Sequence, residues 1–308
     1  MTIQSEEFNL LLEAKMREVV EEEAKYADID SMIPKIFGKG SSDRAFEEYF
    51  QISGVRDAAP WGGKFVTKKQ YPGYTSKVIF QRFANRLEID PALIEDKQYP
   101  VLMQQARDLR NSYDRKKEKM GVNIFSNATS AAFDFQESEE GLSWANSAHL
   151  TKVPSVSTAS GFSNTGTSAL DPTSLAAARI SLMRLRDSMG NLINTRDSLA
   201  IVAPITLSDT VNEIIGTDRG LYTDEGTINV HKGQYSSIPW VLLDDSSTTD
   251  WTLIRVNQTK KDLLWFDRIE PQYMAHIDKD TLSSVHSIHG RFGYLFKDWR
   301  FGYHNNVA

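Results

Sequence analysis

The stretch that decides the fold reads Trp61-Gly-Gly-Lys-Phe-Val-Thr-Lys-Lys-Gln-Tyr-Pro-Gly-Tyr-Thr-Ser-Lys-Val-Ile-Phe-Gln-Arg-Phe-Ala-Asn-Arg-Leu-Glu-Ile89. It is rich in residues that favour β-structure, and Pro72-Gly73 suits the central positions of a type II turn. We therefore predict two extended arms joined at this pair, or one loop with its elbow there. Polar side chains outnumber apolar ones, and an isolated two-stranded hairpin is marginal in water. The stretch needs a partner surface, which indicates assembly rather than catalysis.

Upstream of this ribbon, residues 5–25 predict an amphipathic helix. Ser5 is suited to the N-cap, and apolar residues recur at helical spacing. These residues are Phe8, Leu11, Leu12, Met16, Val19 and Val20. The helix either packs on its own domain or docks as an arm on a neighbouring subunit, and composition favours neither.

Downstream, a second helix is predicted over about 100–127, which corresponds to about 40 Å at 1.5 Å per residue. Its basic run Arg115–Lys119 is interrupted by Glu118, so we expect a solvated face rather than a phosphate contact. The Ser/Thr/Gly-rich segment 154–169 predicts an exposed loop. A helix from Leu170 to Gly190, a buried strand over 199–204, a short helix over 206–215 and a strand-rich last third follow. The predicted class is α+β.

Composition excludes several kinds of protein. The chain has 308 residues, a net charge of −6 and no cysteine, so disulfides and thiolate metal sites are excluded. Tight binders of nucleic acid usually carry a basic excess, which is missing here. No apolar run approaches the roughly 20 residues of a membrane span, and the N-terminus lacks the features of a secretory signal.

Catalytic and metal-binding motifs are also missing from the sequence. Neither a phosphate-binding glycine loop nor a G-x-S-x-G turn occurs. His286 and His289, near Asp278 and Asp280, could be drawn as a metal site. They precede a predicted strand, however, in which positions i and i+3 point to opposite faces. We therefore predict no catalytic residue, no bound metal and no cofactor, and a structural role for His149 and His304.

Four stretches, in this order along the chain, carry a resemblance to a known family. They are Phe83-Ala-Asn-Arg-Leu-Glu-Ile-Asp90; Val122-Asn-Ile-Phe-Ser-Asn-Ala128; Ser143-Trp-Ala-Asn-Ser-Ala-His149 followed by Leu170-Asp-Pro-Thr-Ser-Leu-Ala-Ala-Ala-Arg179 and Ser198-Leu-Ala-Ile-Val-Ala-Pro204; and Arg291-Phe-Gly-Tyr-Leu-Phe-Lys-Asp-Trp-Arg-Phe-Gly-Tyr303. Together they resemble the major capsid proteins of tailed double-stranded-DNA phages, the Hong Kong-type family with the Johnson fold. The resemblance covers nearly the whole chain.

The resemblance implies a division of the chain into parts. Residues 1–48 would be the N-terminal arm and 49–86 the extended β-hairpin loop that lies across the adjacent subunit. Residues 87–194 and 286–308 would form the peripheral domain, with the helix of about 100–127 as its spine. Residues 195–285 would form the axial domain at the centre of hexamers and pentamers.

The resemblance also implies which side chains contact neighbouring subunits. The expected contacts are Phe8 and Leu12 of the arm, and Trp61, Lys64, Lys68, Lys69, Tyr71, Tyr74 and Lys77 of the extended loop. Some relatives join such a lysine covalently to a neighbour's asparagine. No motif identifies that asparagine or an activating carboxylate here, so we expect no cross-link.

The expected function is therefore that of a structural subunit. It would assemble into an icosahedral head in the cytoplasm of the bacterial host and become part of the virion, enclosing double-stranded DNA without reading its sequence. A separate scaffolding protein, a portal and a decoration protein are the other expected partners, and no membrane is expected. Two alternatives stay open: an encapsulin-type nanocompartment shell that encloses enzymes, and a metal-dependent hydrolase that uses the late histidines.

Overall fold

The structure, a computed structural model, describes residues 2–65, 67–90, 92–93, 96, 98–132, 136–193, 197–217, 228–278 and 283–307; for 2–11, 28 and 29 it describes the backbone only. The helices are α1 (Thr2–Asp30), α2 (Ile33–Ile36), α3 (Tyr99–Ser126), α4 (Pro172–Met183), α5 (Ser208–Gly216) and α6 (Val256–Asp262). The strands are β1 (Gly38–Gly40), β2 (Phe46–Ile52), β3 (Pro72–Ile79), β4 (Gln81–Ile89), β5 (Gln136–Ser138), β6 (Thr165–Gly166), β7 (Leu199–Ala203), β8 (Tyr235–Pro239), β9 (Trp251–Arg255), β10 (Leu263–Ile277), β11 (Ser284–Phe296) and β12 (Gly302–Asn305). The α+β class is confirmed.

The spine helix predicted over about 100–127 is confirmed as α3, which has 28 residues. One stripe of α3 is buried, including Leu102, Ala106, Leu109 and Tyr113. α1 packs against α3, and Leu12, Met16 and Val20 of α1 share a hydrophobic cluster with Leu102 and Ala106. From Leu12 onward, α1 therefore packs on its own chain. Of the two alternatives for this helix, packing on its own domain and docking on a neighbouring subunit, the structure shows the first for these residues.

The basic run on α3 is only partly a solvated face. Lys117 forms an ion pair of 3.0 Å with Asp267 of β10, and its ammonium lies 5.7 Å from the centroid of the Trp265 ring. Glu118 is bonded to Ser31, and its partial burial raises the pKa of its carboxyl. The prediction of a wholly solvated run is wrong at these two positions, because α1, α2 and β10 cover this side of the helix.

α3 lies on a four-stranded sheet with the order β1-β10-β11-β4. β10 and β11 form a long antiparallel hairpin that pairs from Leu263↔Phe296 to Ile277↔Ser284. Phe83 of β4 stacks on Phe292 of β11 with 4.5 Å between ring centroids. This aromatic layer beneath α3 belongs to the largest hydrophobic cluster of the described residues.

A second sheet has the order β6-β12-β9-β7-β8, and α4 and α5 contribute to its hydrophobic cluster. Each of the five residues of β7 is buried, as the apolar sequence Leu-Ala-Ile-Val-Ala predicts. Asp171 caps α4 by accepting from the backbone N–H of Ser174 at 2.7 Å. α4 ends at Met183 rather than at Gly190, because Asp187 accepts bonds from the backbone N–H groups of Met189 and Asn191 and closes a turn there.

The ribbon predicted over 61–89 is divided between two sheets, which corrects the sequence interpretation. Pro72 and Gly73 begin β3 instead of forming its turn, and β3 pairs antiparallel with β2, through Phe46↔Ile79 and Phe50↔Thr75. The connecting loop is 53–71. β4 instead pairs with β11 under α3. The division falls at Phe80, whose buried ring packs 5.5 Å from that of Phe266.

The segment 154–169, predicted to be an exposed loop, is not exposed throughout, since Phe162 and Asn164 are fully buried. β8 ends at Pro239, where the backbone N–H of Trp240 donates to the carbonyl of Ala203 and a 3-10 turn follows. The segment 195–285 contributes strands to both sheets, since β10 belongs to the sheet under α3. Among the helices that the structure describes, none combines the length and the apolar character that crossing a bilayer requires.

Candidate intersubunit surface

A third sheet, with the order β2-β3-β5, projects β2 as an edge strand. β3 is held on its other side by β5, through pairs such as Ser76↔Ser138. The carboxylate of Glu139 accepts bonds from the Thr75 backbone N–H at 3.0 Å and from its hydroxyl at 2.8 Å. We call residues 46–79, which comprise β2, the loop 53–71 and β3, the docking hairpin.

Three of the four outward-facing side chains of β2 are apolar, the fourth being Glu48, whereas an ordinary strand at a protein surface exposes mainly polar side chains. Side chains alternate along β2, and the exposed positions include Phe46, Phe50 and Ile52, of which Phe50 is 72% exposed. An edge strand with exposed apolar side chains is a template for association with another chain. A second surface is therefore needed to cover this face.

The loop 53–71 also carries exposed apolar side chains. Trp61 and Phe65 are 67% and 92% exposed, and their rings make an edge-to-face contact at 5.2 Å. In the described part of the chain, seven of the nineteen exposed large apolar side chains lie between Phe46 and Ile79. This stretch is about one ninth of the sequence, so exposed apolar surface is concentrated on the docking hairpin.

The inner face of β2 anchors the docking hairpin to the rest of the chain. The Tyr49 ring lies 6.4 Å from that of Phe266, and the Lys297 ammonium lies 5.4 Å from the Tyr49 centroid. Gln51 donates to the backbone carbonyl of Lys297. The Lys297 backbone N–H in turn donates to the carbonyl of Asp262 at 2.7 Å. The base of the hairpin is therefore fixed, while its tip and outer face are not covered.

Asp262, whose carbonyl accepts from the backbone N–H of Lys297, should make the free energy of unfolding depend on pH. Burial, followed by repulsion from Asp298, raises the pKa of its carboxyl to about 7. Between its ordinary pKa of 3.8 and about 7 the folded chain holds a proton that the unfolded chain releases, so this group costs stability as pH rises through that window. Asp262→Asn removes the penalty and keeps an acceptor for Gln258, which bonds to it at 2.6 Å.

We expect Asp262→Asn to raise the free energy of unfolding by about 2 to 4 kcal/mol at pH 8 and by much less at pH 4. Urea unfolding of both chains at each pH measures this. Comparing the two chains at one pH cancels the titration of the other groups. Equal stabilisation at both pH values, or a less stable variant at pH 8, would contradict the assignment.

The structure places the residues predicted as contacts in different surroundings. Trp61, Lys64 and Lys69 are exposed in the loop. Lys68, Tyr71 and Tyr74 are half-buried; the Lys152 ammonium lies 4.9 Å from the Tyr74 ring. Lys77 forms an ion pair of 3.4 Å with Glu137 and lies over the Phe46 ring. These positions belong to one projecting element, and whether a neighbour contacts them stays a prediction.

Two contacts, Phe8 and Leu12, were predicted on α1. Leu12 is buried in the cluster under α1, which corrects its expected role, because little of its side chain is left for a neighbour. The side chain of Phe8 lies outside the described residues. Phe46, Phe50, Ile52 and Phe65 are exposed on the docking hairpin but are not among the contacts predicted from the sequence. The alternation in Phe46-Glu-Glu-Tyr-Phe-Gln-Ile52 was the available signal, because one face of this period-two pattern is almost entirely apolar.

His149, His286 and His304 lie in packed, hydrogen-bonded surroundings, whereas Nδ1 of His289 is buried without a hydrogen-bond partner. His149 stacks on Trp299 with 3.8 Å between ring centroids, and His304 bonds to the Thr252 hydroxyl at 2.9 Å. His286 lies between the hydroxyls of Tyr273 and Ser284, and burial lowers its pKa to about 4. Within the described residues no three metal-ligating side chains converge. Asp280 lies outside the described residues.

Comparison with known proteins gives matches to solved structures alone: no family model and no curated protein matches this sequence. The capsid of Ralstonia phage GP4 is 10% identical, covers 90% of this chain and 91% of its own, and has a TM-score of 0.58. A structure from Mycobacterium phage Patience is 10% identical, covers 96% and 88%, and has a TM-score of 0.59. A virus-like particle from Pyrococcus furiosus is 8% identical, covers 95% and 98%, and has a TM-score of 0.52.

These matches extend over 90% to 96% of the chain. At such low identity they establish shared architecture, which agrees with the fold implied by the four sequence stretches. The chain has the Johnson fold of phage capsid proteins.

Proposed function

We propose that this chain is the major capsid protein of a tailed double-stranded-DNA phage, a structural subunit without an active site. It assembles with itself into hexamers and pentamers that form an icosahedral head around the packaged genome. Two kinds of observation support the proposal. The fold is shared with phage capsids over about 90% of the chain, and the chain carries a projecting hairpin whose apolar face is uncovered.

The docking hairpin is the single observation on which the proposal rests most. Fully burying a large apolar side chain is worth about 1.5 to 3 kcal/mol. Phe46, Phe50, Trp61 and Phe65 forgo much of this in the isolated chain, because each is at least 47% exposed. An adjacent subunit that covers them recovers this free energy, and every subunit in a closed shell makes and receives the same contact.

The parts of the fold then receive proposed roles. The sheet of β10, β11 and β4, with α3 as its spine and α1 on top, corresponds to the peripheral domain. The sheet containing β7, β8 and β9, with α4 and α5, corresponds to the axial domain around which subunits gather. This division assigns β10 to the peripheral domain, although β10 lies within the range 195–285. It assigns α4 to the axial domain, although α4 lies within the range 87–194.

The proposed partners and location follow from the role. Assembly takes place in the cytoplasm of the bacterial host, with a separate scaffolding protein, a portal and a decoration protein as further partners. The net charge of −6 suits a wall that encloses DNA without binding it tightly. No covalent cross-link between subunits is proposed.

An encapsulin-type compartment stays the second candidate. The virus-like particle from Pyrococcus furiosus shares the fold over 95% of this chain and 98% of its own, with a TM-score of 0.52 against 0.58 for the Ralstonia phage capsid. The two candidates differ in what the shell encloses rather than in how the subunit folds. Nuclease-protected DNA in particles isolated from their natural source supports the phage head, whereas protein cargo without DNA supports the compartment.

Negative-stain electron microscopy of the purified chain, alone and co-expressed with a candidate scaffolding protein, tests the function itself. We expect closed particles of uniform diameter in at least one of these preparations. Sedimentation provides a matching measure, because shells separate from free subunits by orders of magnitude in mass. A chain that stays monomeric or dimeric in every preparation would overturn the proposal.

A further inference from the structure

We propose that a cleft between the loop 53–71 and the turn 186–191 binds a small anion that carries phosphate groups, such as inorganic pyrophosphate or a nucleoside diphosphate. The cleft has a volume of about 590 Å³, which lies within the range of about 300–1,000 Å³ that is typical of small-molecule sites. The inference goes beyond the proposed function, because the cleft lies within one subunit and its ligand can be measured before assembly.

The lining of this cleft is positively charged. Arg56, Lys68 and Arg186 contribute three positive charges and Asp57 contributes one negative charge, so the net charge is +2. None of the three cations forms an ion pair with a described residue. Three serine hydroxyls line the same cleft: Ser155, Ser157 and Ser160.

These groups suit phosphate better than they suit an apolar ligand or a cation. A phosphate group presents several acceptor oxygens, and guanidinium, ammonium and hydroxyl groups can all donate to them. Among the eleven described residues that line the cleft, only Val156 and Met189 have apolar side chains. The cleft therefore offers charge and hydrogen bonds rather than apolar contact.

One wall of the cleft holds Arg186 in a fixed position. Its Nη1 donates to the carbonyl of Gly190 at 2.6 Å, and its backbone carbonyl accepts from Nε of Arg300 at 2.6 Å. The neighbouring carboxylate of Asp187 is not part of the lining; it closes the turn by accepting from the backbone N–H of Asn191 at 2.8 Å. The guanidinium of Arg186 is therefore ordered before a ligand arrives, which lowers the cost of binding.

A second wall carries an unusual backbone conformation. Ser155 has a φ of 66°, and within the part of the chain that the structure describes it is the only residue other than glycine with a positive φ. Such conformations are rare for serine and cluster at binding sites, where the surrounding structure maintains them. This observation is independent of charge and lies in the same cleft.

Phosphate groups occur both in small free anions and along nucleic acid, and the cleft favours the first. A nucleic-acid backbone is bound by cations that follow several successive phosphates, whereas this cleft confines its cations to about 590 Å³. A small anion would join Arg56 and Lys68, near the two ends of the loop 53–71, to Arg186. We expect it to fix the base of the loop and to leave the tip free.

Isothermal titration calorimetry of the purified, unassembled chain with inorganic pyrophosphate at low salt tests the site. We expect malonate, a dicarboxylate, to bind at least about tenfold more weakly than pyrophosphate. The variant Arg56→Gln/Lys68→Gln should weaken pyrophosphate binding by about tenfold or more. The matched control Lys64→Gln/Lys69→Gln removes two charges from the same loop outside the cleft, and its affinity should stay within about twofold of the parent.

A short single-stranded DNA oligonucleotide distinguishes the two sources of phosphate. We expect the parent chain to bind it at least about tenfold more weakly than pyrophosphate, because the cleft holds few cations and Asp57 opposes one of them. An oligonucleotide that binds more tightly than pyrophosphate, and loses this affinity in Arg56→Gln/Lys68→Gln, would overturn the proposal of a small anion.

The remaining outcomes also decide the matter. Equal losses in the two double variants, or equal binding of pyrophosphate and malonate, would show a general attraction of anions and overturn the site, as would a folded parent chain that binds no pyrophosphate. The comparison with malonate uses the parent chain alone, so it stands even where a variant fails to fold. None of these results bears on the capsid function, which shell formation tests separately.

Discussion

Replacing both Trp61 and Phe65 by serine is expected to abolish shell formation while the chain stays folded. The two rings contact each other and little else, since they are 67% and 92% exposed. The loss of one buried aromatic anchor typically costs about 2 kcal/mol or more at an interface. Every subunit contributes one such pair, so the cost recurs throughout the shell. We expect the assembled fraction to fall by at least about a hundredfold.

The free energy of unfolding of this double variant should change by less than about 0.5 kcal/mol, because the removed atoms are exposed in the subunit. Sedimentation measures assembly, and urea unfolding measures stability. The control Trp61→Phe/Phe65→Tyr keeps two aromatic rings and should still assemble. Normal shells from the serine variant would show that this pair is not part of an interface.

Replacing Asn164 by alanine is expected to destabilise the subunit by about 3 kcal/mol or more. This side chain is fully buried. Its amide N–H groups donate to the carbonyls of Trp144 at 2.7 Å and Trp299 at 3.2 Å. Its oxygen accepts from the backbone N–H of Asn146 at 2.8 Å. Removal of the amide leaves these buried groups without a partner, and each costs about 1 to 3 kcal/mol.

Urea unfolding compares Asn164→Ala with the control Thr167→Ala, which lies three residues later in the same segment and is exposed. The control should be within about 0.5 kcal/mol of the parent. Equal stability of the two variants would contradict the role of Asn164 as the polar link between the segments at Trp144 and Trp299.

The sequence predicts the regular elements of this fold better than their pairing. α3 was predictable because a long stripe of apolar residues at helical spacing indicates a helix, and β7 because a short apolar run that ends at a proline has the length of a strand rather than of a helix. The ribbon was misjudged at Pro72-Gly73, which form the start of a strand although the pair suits a turn. Local propensity cannot reveal that the partner of β3 lies 20 residues upstream, in β2. Tertiary pairing decides such cases.

Asn164 illustrates a second limit of structure prediction from this sequence. The segment around it is rich in serine, threonine and glycine, a composition typical of exposed loops. One asparagine in this segment nevertheless satisfies backbone groups from distant parts of the chain, and nothing in its neighbours along the sequence indicates this. Buried polar links depend on which carbonyls the fold leaves unpaired, and the fold sets that only after packing.

The proposed assembly surface was partly predictable. The polar ribbon indicated that a partner surface is needed, and the resemblance to phage capsid proteins implied contacts by Trp61 and the lysines of the loop. The apolar outer face of β2 was missed, because Phe46, Phe50 and Ile52 look like core residues until their strand is placed at an edge. Leu12 was chosen because an arm helix was expected to dock elsewhere, whereas the side chain packs against the spine helix of its own chain.

Electron cryomicroscopy of assembled particles tests most directly whether the docking hairpin joins subunits. We predict a closed shell in which residues 53–71 of each subunit lie on the adjacent subunit and cover the exposed rings of Trp61 and Phe65. A shell in which this loop contacts only its own subunit, or a chain that forms no shell at all, would contradict the account.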